Sequence, residues 1–149
     1  AFDAIEKKCS VEGKRVIVVG AGGTARALVH EAQRRGAEVV IINRTYERAQ
    51  QIAELYGAEA IPFSRLKEVM SLGYDVVINA TSVGMATHAE DSIVEEEWFL
   101  PGTIAFDVVS VPEKTLFLSC AEQARCSIVT GKEMFRCQAD LQQKLWNDF

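Results

Sequence analysis

The residues best suited to chemistry form a short glycine-rich turn near the start of the chain. The run GAGGTA reads G-x-G-x-x-A. The first glycine of this pattern permits a tight turn, the second lets a pyrophosphate approach the backbone, and the final alanine lets a helix pack close to a strand. Amide groups at the start of that helix, with the helix dipole, would hold the phosphates. The predicted cofactor-binding residues of the turn are Gly20, Ala21, Gly22, Gly23 and Thr24.

The glycine turn lies between a predicted strand and a predicted helix. The turn follows Val16–Val19, a continuous apolar run typical of a strand covered on both faces, and a helical pattern comes directly after it. A glycine pattern between a strand and a helix is typical of dinucleotide-binding domains. The alternative is a glycine turn that only packs.

The residues at the end of the second apolar strand would determine whether the domain prefers NAD or NADP. An NAD-binding domain usually places an acid roughly 20 residues past the glycine turn, at the adenosine ribose. Here Asn43 takes that place and is followed by Arg44 and Arg48. Two guanidiniums can hold a 2′-phosphate by charge-assisted, bidentate contacts, whereas without an anion they oppose the helix dipole. The pattern therefore predicts a preference for NADP, and two merely solvated arginines are the alternative.

Polar residues also follow the fourth strand and lie on the last helix. Ligands of open α/β sheets bind beyond the carboxyl ends of the strands, so Thr81 and Ser82 would form a wall for ribose and nicotinamide. An ordinary polar turn explains them equally well. Gln138 shares a helical stripe with apolar residues, and an inward glutamine needs hydrogen-bond partners. Nearby backbone carbonyls would supply them, or a hydroxylated substrate in the crevice.

Composition limits the class of protein. The 149 residues are 48% hydrophobic with a net charge of −5, which fits one globular domain and gives no support to nucleic-acid binding. No apolar stretch approaches the ~20 residues of a membrane span, and from the first residues we expect no secretory signal. The four cysteines have no metal-ligand spacing, so we expect no metal site and reduced thiols in a cytoplasmic protein, or a plastid one if the parent is a plant protein. His30 and His88 are expected to be solvated.

Hydrophobic periodicity places these residues on a doubly wound α/β fold, a Rossmann-like parallel sheet of six strands in the order 3-2-1-4-5-6 with helices on both faces. The predicted strands are Val16–Val19, Glu38–Ile42, Ala58–Ile61, Asp75–Asn79, Thr103–Val109 and Cys126–Val129. The predicted helices are Ala1–Lys8, Thr24–Arg35, Tyr46–Tyr56, Arg65–Met70, Glu113–Arg125 and Lys132–Trp146. We expect Ser64 to cap the fourth helix and Pro112 to open the fifth. The last helix should bury Met134, Leu141 and Leu145.

Five motifs in this order resemble the shikimate dehydrogenases: GAGGTARA, NRTYERA, NATSVGM, FDVVSVPEKT and a final G-x-x-M-x-x-x-Q-A. The resemblance implies the NADP-binding domain of an enzyme that reduces 3-dehydroshikimate with NADPH in aromatic amino acid biosynthesis, in some cases within a multifunctional chain. It places Gly20–Thr24 at the pyrophosphate. By position it carries over the following contacts: Asn43, Arg44, Thr45 and Arg48 to the 2′-phosphate, Val108 and Gly131 to the nicotinamide, and Gln138 to a substrate hydroxyl.

The sequence departs from the family pattern in two ways. The catalytic lysine and aspartate of the family belong to an N-terminal substrate domain with no counterpart here, so no catalytic residue is assigned and the fragment alone is expected to be inactive. The uncapped first helix agrees with a cut inside a longer chain. Ser110 stands at a substrate-side position where the family has tyrosine. This leaves two alternatives open: a non-catalytic NADP-binding or sensor module, and a quinate/shikimate dehydrogenase of different substrate or cofactor choice.

Overall fold

A computed structural model of the chain describes residues 1–147. Six strands alternate with helices along the sequence. The strands are β1 (Arg15–Val19), β2 (Glu38–Asn43), β3 (Glu59–Pro62), β4 (Val76–Asn79), β5 (Ile104–Asp107) and β6 (Ser127–Val129). The helices are α1 (Phe2–Glu6), α2 (Gly23–Arg34), α3 (Tyr46–Tyr56), α4 (Leu66–Ser71), α5 (Leu116–Gln123) and α6 (Gly131–Asn147).

The strands form one parallel sheet in the order β3-β2-β1-β4-β5-β6, which confirms the predicted fold class and topology. Strand order reverses between β1 and β4, where Val16 pairs with Val76 and Val19 with Asn79. In open sheets of this kind, ligands bind beyond the carboxyl ends of the strands at such a reversal. The fold therefore puts the candidate site at the end of β1.

Both faces of the sheet are covered, which explains why β1 is apolar at every position from Val16 to Val19. Val16 and Val18 pack into a core cluster with α1, α2 and α3, whereas Ile17 and Val19 pack into a second cluster with α4 and α5. All four side chains are buried. Successive strand residues point to opposite faces, so a strand buried on both sides has no polar positions to alternate.

Two predicted helix starts are wrong. Ser64 does not cap a helix, because it lies inside a 3₁₀ turn over Phe63–Arg65 and α4 begins only at Leu66. Pro112 does not open α5 either. That helix starts at Leu116, because the Thr115 hydroxyl caps it by accepting a hydrogen bond from the Leu118 amide at 3.3 Å.

The apolar stripe predicted for the last helix is buried at one end only. Met134 is buried, but Leu141 is 48% exposed and Leu145 61% exposed. The described part of α6 packs against α1 near its start, beyond the short edge strand β6, so its later turns have no neighbouring element to cover them. Within residues 1–147, no helix combines the length and the apolar character that crossing a bilayer requires.

Candidate functional site

The glycine turn lies directly against the loop that follows β4. Gly20 has a φ of +123°, a region that favours glycine, and its amide donates to the Ile42 carbonyl at 2.8 Å. A Cβ added at Gly20 would lie 2.7 Å from the Ala80 carbonyl oxygen. No larger residue fits between the two loops. The turn thus forms one side of a crevice whose other side is the β4 loop.

The next glycines face open space instead. A Cβ added at Gly22 or Gly23 would meet nothing within 4 Å, and both residues are exposed at the start of α2. Ala25, one turn further, is fully buried, which lets α2 pack close to β1. The Gly22 and Gly23 amides form no hydrogen bond among the described residues, and free amide groups at a helix N-terminus are a ready site for phosphate. This geometry fits the pyrophosphate that the sequence predicts here.

The tip of β2 brings two arginines to one small cavity. A cavity of about 260 Å³ has Asn43, Arg44, Thr45 and Arg48 among its lining residues. The Asn43 side-chain amide donates to the Thr45 carbonyl at 3.0 Å and so fixes the turn. In the part of the chain that the structure describes, neither arginine forms an ion pair with a carboxylate. Their positive charges are therefore available to an anion.

Thr81 in the β4 loop forms hydrogen bonds within that loop and with the end of β4. Its hydroxyl donates to the Asn79 side-chain oxygen at 2.6 Å and accepts from the Val83 amide at 3.1 Å. Its backbone amide donates to the same Asn79 oxygen at 3.1 Å. Ser82 next to it is exposed and lines the small cavity beside the arginines. The loop is thus held in shape by the buried Asn79, and Ser82 is the more accessible of the two predicted wall residues.

A buried carboxylate that sequence reasoning missed links the end of β4 to the segment between β5 and α5. Asp107 is fully buried at the end of β5. It accepts hydrogen bonds from the Thr115 hydroxyl at 2.6 Å, the Val109 amide at 2.9 Å and the Asn79 side-chain amide at 3.2 Å. Burial raises the pKa of the Asp107 carboxyl, and these hydrogen bonds offset part of that rise. An acid inside the otherwise apolar run TIAFDVV is the signal that could have identified it.

The start of α6 lies directly against the segment that follows β5. A Cβ added at Gly131 would lie 2.7 Å from the Val108 carbonyl oxygen and 2.8 Å from that of Val109. The two residues predicted at the nicotinamide, Val108 and Gly131, therefore lie side by side. Ser110 is half-buried in the segment between β5 and α5.

Gln138 does not face inward as predicted. It is exposed, and it lines a cavity of about 740 Å³ together with Gly23 and Thr24 of the glycine turn. The structure therefore places Gln138 near the glycine turn. Its side chain forms no hydrogen bond among residues 1–147. The sequence-predicted solvation of the histidines is confirmed, since both are exposed. All four cysteines are free thiols.

A parallel six-stranded sheet with this strand order and a glycine turn at its reversal point defines a Rossmann-like domain of the dinucleotide-binding class. The model of the family "Shikimate / quinate 5-dehydrogenase" matches residues 3–111. The chain belongs to this family, which confirms the resemblance seen in its motifs.

Named relatives and solved structures agree with this assignment. The chain is 39% identical over 126 residues to a bifunctional 3-dehydroquinate dehydratase/shikimate dehydrogenase, chloroplastic, from Arabidopsis thaliana, covering 85% of this chain and 21% of that protein. It is 33% identical to a shikimate dehydrogenase (NADP(+)) from Syntrophobacter fumaroxidans, covering 98% of this chain and 51% of that one. Shikimate 5-dehydrogenase from Thermus thermophilus, solved with NADP(H) and shikimate, superposes with a TM-score of 0.84 at 31% identity, covering 99% of this chain and 54% of that one. The chain thus spans about half or less of these relatives.

Proposed function

We propose that this chain is the NADP(H)-binding part of a shikimate dehydrogenase, and that the whole protein interconverts 3-dehydroshikimate and shikimate. The observation that carries the proposal is the pair Arg44 and Arg48, free of carboxylate partners among the described residues and facing one cavity beside an open glycine turn. An acid at this strand tip would repel a 2′-phosphate, whereas two guanidiniums attract it. The relative from S. fumaroxidans carries NADP(+) in its name, and the T. thermophilus structure contains NADP(H).

Each predicted site residue has a role in this proposal. The open amides at Gly22, Gly23 and Thr24 bind the pyrophosphate, and Gly20 and Ala21 shape the turn. Asn43, Thr45 and the two arginines hold the adenosine 2′-phosphate. Thr81 keeps the β4 loop in shape while Ser82 lines the ribose side, and the close approach of Val108 and Gly131 borders the nicotinamide. When bound, NADPH supplies the hydride, and the residues of this chain position and shield it.

The substrate is proposed to lie mainly on a separate domain of the same polypeptide, which provides the acid–base residues. One observation supports this division: the chain spans about half the length of the single-function relatives. Gln138 and Ser110 are the residues on this side that would reach the substrate. Hydride transfer needs donor and acceptor at near-attack distance, so the 149-residue chain alone should not oxidise NADPH when 3-dehydroshikimate is added. A cytoplasmic location, or a plastid one as in the chloroplastic relative, goes with this assignment.

The cofactor assignment is tested by calorimetric titration of the 149-residue chain with NADP⁺ and, separately, NAD⁺. We expect tighter binding of NADP⁺ and a loss of about 10- to 100-fold in that affinity for Arg44→Ala, because a hydrogen bond to a charged group contributes ~1.5–3 kcal/mol. Binding of NAD⁺ should change little. Arg136→Ala is the matched control, since it removes one exposed arginine of α6 that, like Arg44, forms no ion pair among residues 1–147. Equal affinities for the two nucleotides would refute the assignment.

A non-catalytic NADP-binding module is a second candidate, favoured by Ser110 alone. Tyrosine at this position would add a phenol beside the substrate, and serine leaves that contact unfilled. Assaying the full-length parent protein with Ser110 and with Ser110→Tyr separates the two candidates. Turnover of 3-dehydroshikimate by the parent supports the enzyme. No turnover in the parent, together with NADP⁺ binding and turnover in Ser110→Tyr, supports the module.

A further inference from the structure

The Arg44 side chain rests on an aromatic ring. Its guanidinium carbon lies 5.5 Å from the centroid of the Phe63 ring, within the range of a cation–π interaction. Phe63 is half-buried and packs against the core cluster on the α4 and α5 side of the sheet. Arg44 is exposed. The ring is thus the fixed partner, and the long, otherwise free arginine side chain is the one that it orders.

Arg44 and Phe63 are among the residues that line both of two neighbouring cavities. The smaller cavity, of about 260 Å³, contains Arg48, Asn43 and Thr45 on its walls. The larger one, of about 600 Å³, has two carboxylates among its lining residues, Asp91 and Glu95. A guanidinium between these cavities could face either the anion site or the acids.

Among the described residues, the Arg44 guanidinium lies near the Phe63 ring and is not paired with the acids of the larger cavity. Arg44 forms no ion pair with Asp91 or Glu95 among the described residues, although both acids line the cavity that it borders. Asp91 instead lies 3.3 Å from the His88 ring nitrogen. The contact with Phe63 is the specific interaction that the Arg44 side chain makes. An arginine without this ring would gain rotamers and come within reach of competing carboxylates.

We propose that Phe63 is a positioning residue that holds the Arg44 guanidinium at the 2′-phosphate of NADP(H), and that it thereby contributes to the choice of NADP over NAD. The inference rests on the proposed cofactor function. Phe63 lies on the 3₁₀ turn after β3, outside the glycine turn and outside the strand tip that carries the arginines. It acts through Arg44 and contributes no charge of its own.

The test is a double-mutant cycle by calorimetry on the 149-residue chain with NADP⁺ and NAD⁺. The variants are Phe63→Leu, Phe63→Tyr, Arg44→Ala and the double variant Phe63→Leu/Arg44→Ala. An exposed cation–π contact corresponds to about a two- to fivefold change in affinity, so Phe63→Leu should weaken NADP⁺ binding by about that factor and leave NAD⁺ binding unchanged. Phe63→Tyr keeps the ring and should keep the affinity. In the Arg44→Ala background, Phe63→Leu should have no further effect.

Several results would overturn the inference. Equal weakening of NADP⁺ and NAD⁺ by Phe63→Leu would mean that the ring supports the nucleotide or the fold in general. An effect of Phe63→Leu that persists in the Arg44→Ala background would separate the ring from the arginine. Loss of selectivity in Arg44→Ala with full selectivity in Phe63→Leu would show that the arginine needs no support from the ring. If the wild-type chain itself does not distinguish the nucleotides, the proposed cofactor function fails first and the inference falls with it.

Folding of each variant is checked by circular dichroism and thermal melting before titration. Phe63→Met is measured beside Phe63→Leu, because methionine keeps the side-chain length and apolar character without a ring. Agreement between the two ring-less variants, with Phe63→Tyr unchanged, attributes the effect to the aromatic face. A normal NADP⁺ affinity in Phe63→Met would overturn the inference even if Phe63→Leu were too unstable to titrate.

Discussion

Removing one buried hydroxyl should destabilise the chain strongly. The Thr115 hydroxyl donates to the fully buried Asp107 carboxylate at 2.6 Å and accepts from the Leu118 amide at 3.3 Å, so it serves as both a partner of the acid and the cap of α5. Thr115→Val keeps the shape and removes both hydrogen bonds. A hydrogen bond to a charged group contributes ~1.5–3 kcal/mol and a helix cap ~1 kcal/mol. We therefore expect the free energy of unfolding to fall by about 2–4 kcal/mol.

The assay is urea denaturation at pH 7, followed by tryptophan fluorescence. Thr115→Ser is the matched control, because serine keeps the hydroxyl and loses only a methyl group, at a cost of about 0.8 kcal/mol. If the valine and serine variants lose the same stability, then the buried carboxylate does not depend on the hydroxyl, and the reasoning is wrong.

A pH series sharpens the test. Burial raises the folded-state pKa of Asp107 above its ordinary value of 3.8, so the native state holds this proton more tightly than the unfolded chain. The contribution of Asp107 to stability is therefore lost as pH rises from about that ordinary value through the raised pKa. Thr115→Val removes a donor to the ionised form and should raise this pKa further. Its destabilisation should be smaller at acid pH, where the Asp107 carboxyl is protonated, than at neutral pH, where it is ionised, and a penalty that does not change with pH would contradict the assignment to the ionised carboxylate.

Three further changes test other parts of the structure. Gly131→Ala would put a Cβ 2.7 Å from the Val108 carbonyl oxygen and should lower the free energy of unfolding by ~1–3 kcal/mol in a thermal or urea melt. Gly22→Ala meets nothing within 4 Å and should leave the melting temperature unchanged while weakening NADP⁺ binding in calorimetry, because the methyl group occupies the approach of the pyrophosphate. Hydrogen bonds from Arg34 and Arg35 lower the pKa of Glu31 from 4.5 to about 2, so its contribution to stability is complete above pH 4.5 and is lost as pH falls towards 2. Glu31→Gln should flatten that acid limb in melts between pH 5 and 2, and an unchanged slope would show that other acids produce it.

The elements that sequence patterns predicted well are those whose signal is local. The apolar runs of β1 and β2, and Gly57 after α3, placed those boundaries to within a residue or two, and the glycine pattern implied the strand order. The fifth strand was predicted too long, at Thr103–Val109, because its neighbour β4 offers partners only for Ile104–Asp107. The apolar sequence pattern continues to Val109, but the hydrogen-bonded pairing with β4 ends at Asp107.

The errors share a dependence on contacts between distant residues. Thr115 starts α5 because Asp107, eight positions earlier, anchors its hydroxyl, and no helix-start rule takes account of that partner. The stripe on α6 is an amphipathic pattern, but burial needs a second surface, and the described residues supply one only near Met134. Gln138 was misplaced for the same reason. The roles of the individual cofactor residues remain predictions that the binding experiments above would test.

The pairing of β1 with β4 also has a consequence for how the chain folds. Val16 and Val76 are 60 positions apart, whereas β1, β2 and β3 join one another through single intervening helices. Contacts between residues so distant in sequence close a large loop and form slowly. Since the crevice lies on this seam, we expect nucleotide affinity to appear late in refolding, after the first three strands have gained protection from hydrogen exchange. If the β4 amides gained protection from hydrogen exchange at the same time as the β2 amides, this order of folding would be wrong. Slow formation of the β1–β4 seam would leave the edges of both half-sheets exposed in newly made chains, and nucleotide present during synthesis would then favour the completed fold.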